Sequence, residues 1–537
     1  MLNHENYNRS YEYSSVKNRD QLFPDKLYLS NFTGNENTNA YAYQYRTESW
    51  MGRARYNYNQ QYFLELSLNR DGSSRFSKDK RWGTFWSVGA SWILSKEKFM
   101  QDVSWVDFLK LRLSYGTAGN DFTSIDGTTT YYPYMNAWDK STNTLYGNPS
   151  IYPNITGNPD LHWESTKTLD AALEANLLNN RLNLSVGYFL RTNSDLIYSV
   201  SQAPSNAINV DGGYMTIIQN IGDMHNWGWE IAVGGTLIRT RDWTWDMSVD
   251  ATFIKNKVTK LPAGNLYNSP RALIEGKSRY EWYMPTWAGV DMTTGNSLYE
   301  INPCHKFESE QFDDNGNSLG WAFDQAKWDS NLANAEKDGA LVQIGDKYYT
   351  TKSSYASNDF QGTSLPTVTG SFGTNLRWRD ISFGMLFTYA LGGKTLDSTY
   401  TTLMGTGAGG ALHKDALNSW TADMAEGIGE DSPNRINPNI NPELNITTSA
   451  NNNSGTNSRW LVSNNYLALK NLNINYDLPK AWMQAISLKG MSLGFSIDNV
   501  FIATKRKGMN PRYSSAGGQG NYFVASRVYA FELTARF

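Results

Sequence analysis

Two stretches of this chain set flat aromatic rings beside a carboxylate, a combination suited to holding sugars or peptides. "YYPYMNAWD" places Tyr131, Tyr132, Tyr134 and Trp138 next to Asp139, and "RYEWYMPTW" places Tyr280, Trp282, Tyr283 and Trp287 next to Glu281. Ring faces stack on sugar C–H surfaces while nearby carboxylates and amides bond hydroxyls; the same rings also serve peptide ligands, or simply pack loops. Tyr131, Tyr132, Trp138, Trp282, Tyr283 and Trp287 are the candidate substrate-binding residues.

Other chemistry has less support. "DDNGNSLGWAFD" spaces Asp313, Asn315, Asn317 and Asp324 somewhat like a calcium loop, but it lacks the sixth-position glycine and the twelfth-position glutamate. A hairpin turn at Asn315–Gly316 is the simpler reading. The histidines, His4, His162, His225, His305 and His413, do not cluster in sequence, and no nucleophile motif is present. "RDGSSRF" (70–76) resembles a catalytic serine motif only superficially; an Asp71–Gly72 turn flanked by Arg70 and Arg75 reads as a strand-to-loop junction. The expectation is a non-enzyme with no metal and no cofactor. Cys304 stands alone, which excludes an internal disulfide.

These residues sit in an unusual background. Charged residues are only 18% and aromatics reach 14%, with 19 Trp and 33 Tyr, too many rings for ordinary cores. Yet mean hydropathy is −0.54, and no apolar run is long enough for a helical membrane span. A net charge of −3 gives no electrostatic reason to expect nucleic acid. The start, "MLNHENYNRSYEY", shows neither the basic nor the apolar region of a signal peptide.

The elements that position the rings are strands with two different faces. In "WTWDMSVDATF", Trp243, Trp245, Met247, Val249, Ala251 and Phe253 oppose Thr244, Asp246, Ser248, Asp250 and Thr252. "RLNLSVGYFL", "KGMSLGFSID" and the final "VYAFELTARF" alternate likewise. Each has the length of a tilted strand crossing a bilayer. In the last, placing Glu532 and Arg536 against lipid would cost about 2–4 kcal/mol for a mid-membrane Arg, so their face is the wet one. Connections alternate too. Short turns fall at 58–61, 177–181, 238–242 and 378–380, and long polar stretches near 116–160, 194–212, 256–365 and 392–457. Two further links, "LSKEKFMQDVSWVDF" and "LPKAWMQAISLK", are long enough for a helical turn or two. This is the layout of an all-β, transmembrane antiparallel β-barrel with about thirteen strands here. A soluble carbohydrate-binding β-protein is the alternative, but ring-rich strand ends and small or polar opposite faces favour the barrel.

Blocks in order along the chain resemble the SusC/RagA-like family of TonB-dependent outer-membrane transporters. They run from "RDGSSRF", "RWGTFWSVGASWILSKEKF" and "LKLRLSYGTAGN" through "GNPDLHWESTKTLDAALEANLLNNRLNLSVGYFLRTNSDLIY", "NIGDMHNWGWEI" and "WAGVDMTTGNSLY". They continue with "SLPTVTGSFGTNLRW", "YLALKNLNINYDLP" and "MSLGFSIDNVFIATKRKGMNP". The resemblance implies a 22-stranded barrel in the outer membrane of a Gram-negative, Bacteroidota-like cell. It also implies an N-terminal plug engaging the TonB complex, a SusD-like surface lipoprotein over the mouth, and import of oligosaccharides or peptides. The terminal Phe537 matches the family's aromatic end-signal for barrel assembly. The expected organisation is an extracellular loop over 1–45 and the C-terminal part of the barrel over 46–537, with plug and signal peptide absent. A non-functional or split-gene fragment of such a transporter is the other alternative.

Overall fold

The computed structural model describes the chain except residues 24–27, 29–30, 126–127, 146–147, 202–215, 262–265, 269, 314–317, 406–411, 445–455, 486–487, 507, 514–517 and 520–524. Its main feature is a fourteen-stranded sheet whose spatial order is the order of the chain. The strands are β1 (Leu2–Gln21), β2 (Phe32–Tyr58), β3 (Tyr62–Ser73), β4 (Trp82–Ile93), β5 (Val106–Asn120), β6 (Glu164–Leu177) and β7 (Leu182–Ser194). They continue with β8 (Asp223–Arg239), β9 (Trp243–Lys260), β10 (Val368–Trp378), β11 (Ile381–Leu391), β12 (Tyr466–Asp477), β13 (Gly490–Thr504) and β14 (Val528–Arg536). Every neighbouring pair is antiparallel, and among the described residues β1 and β14 are the two edges.

Register converts sequence alternation into two continuous surfaces. Leu64, Leu66 and Leu68 of β3 stand beside Tyr56, Ala54 and Gly52 of β2, and all three leucines are exposed on the outer face. Between them, Glu65 and Ser67 meet Arg55 and Arg53 on the inner face. A one-residue slip would exchange the faces, so the ion pairs of Glu65 with Arg53 and Arg55 help fix the register.

The two ends of the sheet differ as expected. At one end Asn59 and Gln60, both near φ +50°, close the β2–β3 hairpin, and residues 178–181, 240–242 and 379–380 make the other tight turns. The two longer links there do form helical turns: 3₁₀ turns over Leu94–Lys96 and Lys98–Met100, and an α-helix over Lys480–Ala485. The opposite end carries every long connection.

The expected loop over residues 1–45 is different in the structure. Residues 2–21 form β1, which pairs with β2 from Leu2↔Gly52 to Gln21↔Phe32, and the strand count becomes fourteen. Because β2 meets β3 only from Thr47 onward, the outer part of this hairpin projects beyond the wall as a two-stranded ribbon. The apolar alternation of the other strands is missing here because the outer face of β1 carries His4, Asn6 and Asn8 where they carry apolar residues.

The connections after β9 and β11 pack into one lobe. Strand Trp287–Asp291 of the first pairs with Ile436–Asn437 of the second. The Trp420 indole donates to the Met292 carbonyl at 2.9 Å, and Arg435 meets the fully buried Asp291 at 3.1 Å. Burial alone would push the Asp291 carboxyl up, but the bonds from Arg435 and Thr293 outweigh it and hold Asp291 below its usual value.

Candidate functional site

"RDGSSRF" organises the first aromatic group. Asp71 and Gly72 lie within β3, so the turn forms three residues later than expected, at Ser74–Arg75. This turn drives Arg75 inward to 7% exposure. Its guanidinium donates to the Asp121 carboxylate and carbonyl, both at 3.2 Å, and lies 4.4 Å from the Tyr45 ring, 5.4 Å from Tyr131 and 5.7 Å from Phe122. The Tyr45 and Ser73 hydroxyls also donate to Asp121, at 2.8 and 2.5 Å. One cation–carboxylate pair thus ties together the turn after β3, the end of β5 and the ribbon.

Tyrosines extend this node outward. The inner face of the ribbon bears Tyr11 and Tyr13 on β1 beside Tyr41 and Tyr43 on β2. Tyr131 stacks on Tyr43 at 3.9 Å with ring planes 9° apart, and Tyr43 stacks on Tyr11 at 5.0 Å. The Tyr132 hydroxyl accepts from the Gln44 backbone N–H at 2.8 Å. Tyr131 is therefore enclosed between Tyr43 and the Arg75 cation, and Tyr132 is held against the ribbon. Trp138, 62% exposed, presents its ring openly. The side chain of Asp139 lies outside the described residues, as does the Asn315–Gly316 turn, although its flanking strands Glu308–Phe312 and Ser318–Phe323 do pair antiparallel.

The second group lies in the lobe and is mostly interior. Trp282 is 2% exposed; its indole donates to the Lys394 carbonyl at 2.9 Å and the Arg271 guanidinium covers its ring at 3.5 Å. Tyr283, equally buried, packs on Phe360 and borders a cavity. Trp287 is half-buried against Val290, Met292 and Trp420, and Arg459 sits 5.0 Å from its ring and 4.4 Å from that of Trp460. Burial lowers the Arg459 guanidinium to about 10, although it remains charged at neutral pH. Trp282, Tyr283 and Trp287 thus serve the lobe's packing, and the open ring faces expected of them are taken up by protein. Phe537 follows β14 at the turn-bearing end, 84% exposed.

The inner wall adds groups that aromatic clustering did not single out. Asn475 donates to Asn473 at 3.5 Å, Asn473 to Asn471 at 2.9 Å, and Asn471 to Asp498 at 2.8 Å, a directed row along β12 ending on β13. On β5 and β6, Lys110 and Arg112 converge on Glu174. Period-two asparagines in "NLNIN" and period-two tyrosines in "YAYQY" were the available signals for this row and for the ribbon.

With this geometry in view, the likenesses are consistent. Residues 2–303 match the sequence profile described as TonB dependent receptor-like, beta-barrel. The chain is 28% identical over 529 residues to TonB-dependent receptor P39 of Formosa agariphila, covering 94% of this chain and 47% of that protein. It is 24% identical to TonB-dependent receptor SusC of Bacteroides thetaiotaomicron, covering 93% and 44%. In fold it superposes on the structure of the RagAB peptide transporter with a TM-score of 0.73 at 22% identity, over 99% of this chain and 52% of the other. The chain therefore spans about half the length of the curated relatives it matches.

Proposed function

The chain belongs to the TonB-dependent receptor-like β-barrel family, and from that premise we propose that it forms barrel wall and outer vestibule of an outer-membrane nutrient importer. The observation that carries this reading is the two-faced sheet: an exposed apolar surface on one side, and an inner side of serines, glycines, asparagines and paired charges on the other. Lipid accepts the first, while a wet or plugged lumen accepts the second. The short-turn end then faces the periplasm, and the ribbon and lobe face outward.

Sheet order supports a larger barrel. Among the described residues β1 and β14 are edges, and unpaired edges are not tolerated against hydrocarbon, so the proposed barrel closes through additional strands, 22 in all by family resemblance. Transport would draw on a plug and the TonB complex, with a SusD-like lipoprotein covering the mouth. Oligosaccharides or peptides are the proposed cargo, with Trp138 and, less openly, Tyr132 the candidate rings exposed to make contact.

Membrane fractionation and uptake test the proposal. The protein is expected in the outer-membrane fraction, with heat-modifiable gel mobility, and deletion of its gene is expected to abolish growth on one class of oligosaccharide or peptide. A soluble, detergent-free monomer would overturn it.

A further inference from the structure

In the lobe, Lys306 lies on a single 3₁₀ turn, His305–Phe307. Its ammonium donates to the carbonyls of Ser354 at 2.6 Å and Ala356 at 3.0 Å, which uses two of its three N–H groups. Among the described residues no carboxylate pairs with it. The neighbouring Glu308 is engaged at 2.8 Å by His305. Burial lowers the Lys306 ammonium below its ordinary value, with Cys304 opposing the shift, so the charge is incompletely solvated.

This ammonium borders a cavity of about 590 Å³ with Tyr283, His305, Ser353, Ser354 and Asn358. The volume is that of a small-ligand site. Its walls offer hydroxyl and amide groups that both donate and accept, the dual role sugar ring hydroxyls require, whereas an isolated carboxylate would use only the donors. A partly desolvated cation without a counter-charge is best satisfied by an anion.

Resting on the reading that the lobe faces imported substrate, we propose that this cavity binds a uronic-acid residue of an oligosaccharide. Lys306 holds the sugar carboxylate, and Ser353, Ser354 and Asn358 meet ring hydroxyls. The buried Tyr283 shapes the wall of this site.

Calorimetry on the detergent-solubilised, full-length protein tests this with tetragalacturonate, its methyl ester and a peptide of alternating Glu and Gly. Tetragalacturonate is expected to bind about tenfold tighter than its ester, a margin that shrinks as salt rises from about 50 to about 300 mM. Lys306→Gln is expected to erase the margin. Asn358→Asp, which leaves the two carbonyl bonds of Lys306 in place while adding a repelling charge, is expected to do the same. Equal binding of acid and ester, an unchanged margin in both variants, or a stronger preference for the peptide would overturn the proposal. Outer-membrane fractionation is independent of all three outcomes, so failure of this site is distinguishable from failure of the importer reading.

Discussion

Arg75 is the residue on which the outer architecture turns. Its pair with Asp121 is nearly sealed from solvent, and breaking such a pair strands a charge at a cost of about 3 kcal/mol. Arg75→Ala is expected to raise hydrogen exchange over residues 121–135 and the ribbon while exchange in β10–β13 stays unchanged, read by mass spectrometry. Asp291 gives the lobe a pH dependence of definite sign. Because its carboxyl is held below the ordinary value, its contribution is complete above the usual carboxylate range and is lost as pH falls through the depressed value. Pepsin cleavage within residues 281–301 is expected to climb steeply at the acid end of a series from about pH 5 to about pH 2. Asp291→Asn is expected to raise cleavage already at pH 5 and to flatten the series.

At the scale of elements, strand faces predict opposite tolerance to charge. Leu66→Arg, on the outer face of β3, is expected to lose about 2–4 kcal/mol, seen as a loss of the heat-modifiable folded band. Ser87→Arg, one strand over on the inner face, is expected to keep that band. Strands with contrasting faces were legible in sequence because a period of two is a direct image of their surroundings, as Trp243–Phe253 illustrates. β1 was not, since His4 packs on Trp50 at 4.0 Å and the outer face of that strand is polar between Leu2 and Val16. The lobe rings failed for another reason. Composition reveals that Trp282 and Tyr283 are aromatic, but their burial is decided by partners such as Lys394 and Phe360, over 75 residues away in the chain. Arg75 was legible as a junction residue, yet its rings come from distant segments, Tyr45 from β2 and Phe122 and Tyr131 from the connection after β5, and leave no local signature.

For the whole molecule, assembly and exchange are the relevant tests. If the exposed Phe537 is the end-signal that family resemblance implies, deleting it is expected to lower the folded outer-membrane fraction several-fold without changing synthesis, measured by heat-modifiable mobility against total protein. The lobe bears on ancestry as well as stability. It is sewn from the connections after β9 and β11, with Asp291 on one and Arg435 on the other. Recombination that imported one connection from a relative would leave a buried acid without its cation. The two therefore form a single heritable cassette, and residues 261–367 and 392–465 are expected to trade between homologues together or not at all.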